Sequence, residues 1–215
     1  MGIYIEALIL YILLFFPGSA FILTNKEAVV TDFSVTAEFV NTFSYSIPSL
    51  ALIWYLIYKA RKIELWAVKP GKKDIISFVI SLPCLLITGL IVTFTGVFIG
   101  GHTSQITLKS PSTVIEWIVL SITCLLAAYL EESYFRYYLL TKRDEFNLSS
   151  ASALALSVTM FSICHIYEGP WGFMNALISG TTLGFVFLRY TSLHGIAIAH
   201  TLYNISIYVI NALVN

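Results

Sequence analysis

The sequence predicts an all-α fold, a polytopic transmembrane helical bundle of about seven spans. Three observations predict it. The chain is 58% hydrophobic and only 11% charged, with a mean hydropathy of +0.84, whereas a water-soluble domain carries roughly 25% charged residues. Seven apolar runs reach or approach the ~20 residues that a helix needs to cross a hydrocarbon core. No run alternates strictly between apolar and polar residues, as the strands of a membrane barrel do.

The seven runs lie near 4–23, 37–58, 75–99, 113–140, 151–167, 173–190 and 194–213. The first has no basic residues before it and no clear cleavage site after it, so it is expected to stay as a membrane helix. Pro17, Pro48 and Pro83 are expected to kink the first three spans. The segment from Lys59 to Asp74 carries Lys59, Arg61, Lys62, Lys69, Lys72 and Lys73, and the positive-inside rule places it in the cytoplasm. Counting spans from there also puts Lys142, Arg143 and the turn after Arg189 inside, and leaves only Lys26 and Lys109 on the opposite face. The N-terminus is then cytoplasmic, the C-terminus lies outside, and Asn147 of Asn-Leu-Ser faces the wrong side for glycosylation.

Net charge is zero, so nucleic acid is not an expected partner; the bilayer and a peptide or protein substrate are. Cys84, Cys124 and Cys164 lie in apolar runs without Cys-x-x-Cys spacing, which argues against a disulfide framework and a zinc ribbon. The sixth span places Ala176, Gly180 and Gly184 four residues apart, a spacing that lets helices approach closely in lipid. The expected division is an accessory region at 1–112 and a functional core at 113–215.

The fourth span holds the tension in the sequence. Its Leu130–Arg136 stretch, Leu-Glu-Glu-Ser-Tyr-Phe-Arg, puts Glu131, Glu132 and Arg136 inside an apolar run. About ten large apolar residues contribute on the order of 5 kcal/mol to insertion, while three charges cost roughly 3 kcal/mol each. Such a helix needs partners for its charges, and ionisable residues at this depth mark a functional site by default. Glu132 and Arg136, at i and i+4, share a face and are expected to form a structural ion pair. Glu131 sits about 100° around the helix, free to take a different partner.

Two later spans supply those partners. The fifth ends in Phe161, Cys164, His165 and Tyr167, and the seventh carries His200 and Asn204 at i and i+4. His194 is expected at the interface, and His102 falls in a polar loop. One acid, imidazoles and two further donors make a parts list for hydrolysis by an activated water. Counting residues places His165 nearer the outer end of its span than Glu131, a mismatch that a short fifth helix would remove.

The motifs Glu-Glu-x-x-x-Arg at 131–136, Phe-x-x-x-His at 161–165 and His-x-x-x-Asn at 200–204 resemble those of the CPBP family of CAAX proteases and bacteriocin-processing enzymes, also called Abi. That family includes the type II CAAX prenyl endopeptidases. The resemblance covers 113–210 and implies a helical intramembrane endopeptidase of bacterial type, in the plasma membrane. It implies that Glu131 and His165 activate water and that His200 and Asn204 form an oxyanion hole. Glu132, Arg136 and Phe161 would support the site. The family is often labelled a metalloprotease, yet the resemblance implies a metal-independent glutamate mechanism, so no cofactor is expected. Zinc on two histidines and a glutamate is the alternative within enzymes, although His-Glu-x-x-His is missing and Arg136 disfavours a dication. A proton-coupled transporter or a non-catalytic scaffold is the alternative outside them.

Overall fold

The computed structural model describes residues 2–24, 29–31, 33–61, 70–99, 106–108 and 110–214. The side chains of 2–3, 16–24, 29–31, 60–61, 106–108 and 214 are not described. Lys26, Lys62, Lys69, His102 and Lys109 lie outside the described residues.

The elements run α1 (Gly2–Thr24), β1 (Val29–Thr31), α2 (Val35–Asn41), α3 (Ile47–Arg61), α4 (Lys72–Phe98), β2 (Ile106–Leu108), α5 (Val114–Glu131), α6 (Leu139–Thr141), α7 (Ser150–Cys164), α8 (Gly169–Tyr190) and α9 (Leu193–Val214). Two π-helical turns, Thr42–Ser46 and Glu132–Tyr138, join α2 to α3 and α5 to α6, so each pair forms one long helix. Helices accordingly occupy all seven predicted positions. Five are long and apolar enough to cross a membrane: Val35–Lys59, Lys72–Phe98, Val114–Thr141, Ile166–Tyr190 and Leu193–Leu213. Two apolar stretches are shorter, Tyr4–Phe15 within α1 and Ser150–Cys164. The fold is a helical membrane bundle.

Local chemistry explains several element boundaries. Ser34, Thr113 and Ser149 cap α2, α5 and α7, each hydroxyl accepting from the backbone N–H three residues on. Thr113 and Glu116 complete a capping box. The first π turn ends two residues before Pro48. Proline lacks a donor and crowds the carbonyl four residues back, and a widened turn at that place relieves the crowding. β1 and β2 form a short parallel pair, Val29 opposite Ile106. They join two connections that the span count puts on one side of the membrane.

Two aromatic and aliphatic clusters hold the bundle. Ala7, Leu10 and Tyr11 of α1 pack with Ile53 and Ile57 of α3, with Tyr134, Phe135 and Tyr138 of the second π turn, and with Phe161 of α7. Leu85 of α4 packs with Leu154 and Val158 of α7, Leu183 and Phe187 of α8, and Ile196 and Tyr203 of α9. Helices before residue 113 therefore pack directly on helices after it. Tyr134 donates to the Ala7 carbonyl at 2.6 Å, and Glu6 takes both the Tyr138 hydroxyl and Lys142 Nζ at 3.1 Å. At the start of α4, Asp74 accepts from Ser192 and from the Gly195 N–H of α9.

No disulfide forms among the described residues, and Cys124 and Cys164 are buried as the apolar context predicts. The small residues of α8 do what their spacing implies. A Cβ on Gly184 would meet Leu154 Cδ1 at 2.2 Å, and one on Gly180 would meet Phe161 Cδ1 at 2.9 Å.

Candidate active site

The charges of the fourth span sit at its widened turn. Glu131 is the last residue of α5, and Glu132 and Arg136 belong to the π turn that follows. π turns occur disproportionately at functional sites because they re-aim side chains within an otherwise regular helix. The Phe135 carbonyl in this turn accepts from the Ser157 hydroxyl of α7 at 2.6 Å, which ties the turn to the neighbouring helix.

Glu132, Ser133 and Arg136 are completely buried, each at 0% exposure. Arg136 Nη1 lies 3.2 Å from Glu132 Oε1, the expected ion pair. Its Nη2 donates to the Gly180 carbonyl at 3.3 Å, and its guanidinium stands 4.4 Å from the centre of the Phe161 ring. A charge taken fully out of water persists only when paired and bonded in this way. The Phe161 face adds a cation–π contact in a dry setting.

Glu132 has a second partner. Its Oε1 lies 2.9 Å from His200 Nδ1. The other ring nitrogen, Nε2, lies 3.7 Å from Glu131 Oε2. The imidazole is thus held between the two adjacent acids, each on a different nitrogen. Glu131 Oε2 is buried yet accepts no hydrogen bond among the described residues, although the Glu131 side chain as a whole keeps 23% of its exposure.

His165 is positioned by a helix that ends early. α7 has 15 residues, a length of ~22 Å at 1.5 Å per residue, short of the ~30 Å hydrocarbon thickness. α7 is thus the short fifth helix that the residue count called for. His165 lies just beyond it, with φ −102° and ψ 7°, and a 3-10 turn (Ile166–Glu168) leads at once into α8. His165 Nδ1 is 2.9 Å from the Phe161 carbonyl. A carbonyl only accepts, so Nδ1 carries the proton and, in the neutral ring, Nε2 is left as an acceptor. Phe161 stands between the two histidines, its ring centre 4.6 Å from that of His165 and 6.1 Å from that of His200.

Asn204 lies one turn beyond His200 on α9, half-buried and with no hydrogen-bond partner among the described residues. His194 bonds the Tyr129 hydroxyl at 2.9 Å, away from the site. No group of three or more His, Cys, Asp or Glu side chains among the described residues is disposed to hold a metal ion. The structure therefore brings Glu131, Glu132, Arg136, Phe161 and His200 into one connected set, with His165 against Phe161 and Asn204 alongside.

Sequence reasoning passed over two participants. Gly180 was read as a packing residue, yet its carbonyl also bonds Arg136. Glu168, three residues after His165, closes the 3-10 turn with its N–H on the His165 carbonyl at 3.0 Å; the Gly-Pro that follows it and marks a helix start was its only signal.

Residues 113–206 match the family described as type II CAAX prenyl endopeptidase Rce1-like. The match agrees with the resemblance read from the motifs. The Rce1-like match contains all three motifs and spans just under half of the 215 residues, leaving the helices before it outside the comparison. Rce1-like proteins are proteases, which supports an intramembrane protease of the CAAX type in general. The chain matches no curated protein and no solved structure.

Proposed function

We propose that this protein is an intramembrane endopeptidase in which Glu131 and His165 activate a water molecule for attack on a peptide bond. The observation that carries this reading is the division of labour among the acids. Glu132 is fully buried and its Oε1 faces both Arg136 and His200, at 3.2 and 2.9 Å, whereas the Glu131 side chain keeps 23% of its exposure and its Oε2 accepts no hydrogen bond among the described residues. The chemistry falls to the acid that keeps access to water, and to the histidine with a basic nitrogen to spare.

In the proposed reaction Glu131 takes one proton from water, and His165 Nε2 accepts the second O–H and so orients the oxygen. The hydroxide adds to the carbonyl carbon, and the carbonyl oxygen becomes an oxyanion. His200 Nε2 and Asn204 Nδ2 donate to that oxyanion. Because His200 Nδ1 already faces Glu132, Nε2 donates in the imidazolium form, held between Glu132 and Glu131. The proton held by Glu131 then moves to the leaving nitrogen, with His165 as relay, and the C–N bond breaks.

No step requires a metal, and Arg136 beside Glu132 opposes a dication there. The substrate class we propose is a prenylated, bacteriocin or pheromone-like peptide. The protein would sit in a bacterial plasma membrane with its N-terminus and the basic 59–74 segment in the cytoplasm. Purified protein in lipid vesicles, given a fluorogenic peptide library with and without chelator, tests the reading. Cleavage that survives chelation and disappears in Glu131→Gln and His165→Ala supports it. Loss on chelation with recovery on added zinc would favour the metalloprotease instead.

A further inference from the structure

α9 carries both groups that the proposed reaction aims at the oxyanion, His200 and Asn204, one turn apart on one face. Both ends of the helix are tied to its surroundings. Near its start, Asp74 of α4 accepts from the Ser192 hydroxyl at 2.5 Å and from the Gly195 N–H at 3.4 Å. Near its finish, the Ser110 hydroxyl donates to the Tyr208 carbonyl at 2.8 Å and accepts from Asn211 Nδ2 at 3.0 Å. Thr201 and Ser206 turn their hydroxyls to carbonyls of α9 itself, so those bonds fix nothing outside the helix. The middle of α9, where the two donors sit, is held by His200 and by Tyr203.

Tyr203 is buried, and its hydroxyl donates to Asn175 Oδ1 of α8 at 3.1 Å. Gly89 of α4 leaves room for that reach; a Cβ there would lie 2.7 Å from the Tyr203 hydroxyl and 3.0 Å from its Cε2. The bond closes a circuit. His200, on the same helix, meets Glu132 Oε1 at 2.9 Å, and that oxygen meets Arg136 at 3.2 Å. Arg136 in turn reaches the Gly180 carbonyl of α8 at 3.3 Å, and Asn175 lies a little over one turn back along α8. His200 and Tyr203 point about 60° apart around α9. Two contacts in different directions, on partners that are themselves joined, stop the helix from turning about its own axis. Asn204 follows Tyr203 in the chain and has no hydrogen-bond partner among the described residues, so its direction is set by the helix that bears it.

We propose that Tyr203 and Asn175 are positioning residues of the reaction, their hydrogen bond holding α9 in the rotation at which Asn204 meets the oxyanion. The proposal rests on the protease reading above. Neither residue touches the reacting atoms; both act through Asn204.

Tyr203→Phe removes one oxygen and leaves the ring in place. The expected result is KM and Tm close to wild type and kcat reduced roughly 10-fold, part of the 10²–10³ that a lost oxyanion donor costs. A misaimed donor matters only while the donor is present. In Asn204→Ala protein the same tyrosine change should therefore alter kcat by less than about 2-fold, whereas a purely structural role would multiply the two losses. Single-turnover cleavage in lipid vesicles by wild type, the two single variants and the double variant makes the comparison. Asn175→Ala, which removes the acceptor, is expected to lower kcat as Tyr203→Phe does, and it carries the test should the phenylalanine variant fail to fold. A folded Tyr203→Phe or Asn175→Ala protein with wild-type kcat overturns the role of this pair, as does an equal fold-loss with and without Asn204. Either result leaves the protease reading standing. Wild-type protein that cleaves no peptide overturns both.

Discussion

His200 Nδ1 lies 2.9 Å from Glu132 Oε1, and that same oxygen faces Arg136 at 3.2 Å. One buried carboxylate oxygen therefore fixes a histidine of α9 and an arginine on its own helix. Charge is shared through it: the arginine offsets the acid, and the acid in turn holds the imidazole ring and sets which nitrogen points at Glu131.

Glu132 is accordingly expected to matter for folding as well as for rate. Glu132→Gln leaves Arg136 buried without a counter-charge, and breaking a buried pair from one side costs about 3–5 kcal/mol. A thermal melt in detergent should show a large drop in Tm for this variant. Glu131→Gln, at a side chain that keeps 23% exposure and whose Oε2 accepts no hydrogen bond among the described residues, should melt close to wild type. Equal Tm losses in the two variants would contradict the assignment of separate roles.

The oxyanion role of α9 makes a kinetic prediction. Asn204→Ala removes a donor with no hydrogen-bond partner among the described residues, so substrate affinity and stability should be nearly unchanged. The kcat should fall roughly 10²–10³-fold, the usual cost of one oxyanion donor. Single-turnover cleavage under saturating peptide checks this directly.

The glycines of α8 separate packing from site geometry. Alanine normally favours a helix over glycine by about 1 kcal/mol. At Gly184 the obstructing atom is the end of a flexible leucine, whereas at Gly180 it is the edge of Phe161, with Arg136 Nη2 at 3.3 Å. Gly184→Ala should therefore be the better tolerated of the two, and Gly180→Ala should lose both stability and peptide cleavage, measured by Tm and by kcat.

The tie between α1 and the site helix is testable in the same way. Tyr134→Phe removes the hydroxyl that reaches the Ala7 carbonyl and should cost about 0.5–1.5 kcal/mol of stability, the net worth of such a bond. Denaturant titration of the two proteins in the same micelle measures it.

The seven helices were legible because hydropathy over ~20 residues is a strong signal, and the Glu132–Arg136 pair because i, i+4 neighbours touch on any helix. The π turn at Glu132–Tyr138 was not legible, since its letters read as ordinary apolar helix. The widened turn depends on partners such as Ser157, which are distant in sequence. The clamp of Glu131 and Glu132 around His200 was hidden for a similar reason. A rotation of 100° suggested two separate partners, and only the approach of α9 lets one imidazole meet both acids. Glu168 was missed because an acid before Gly-Pro looks like a helix cap, and the absence of the capping bond shows only in three dimensions.

The central claim is that Glu131, and not its buried neighbour, removes the proton from water. The most direct measurement is the rate of peptide cleavage by Glu131→Gln protein in lipid vesicles, with its melt recorded alongside. A folded protein with wild-type Tm and cleavage reduced at least ~10²-fold, the scale of a positioned base, is the expected result. A folded Glu131→Gln protein that cleaves peptide at the wild-type rate would contradict it.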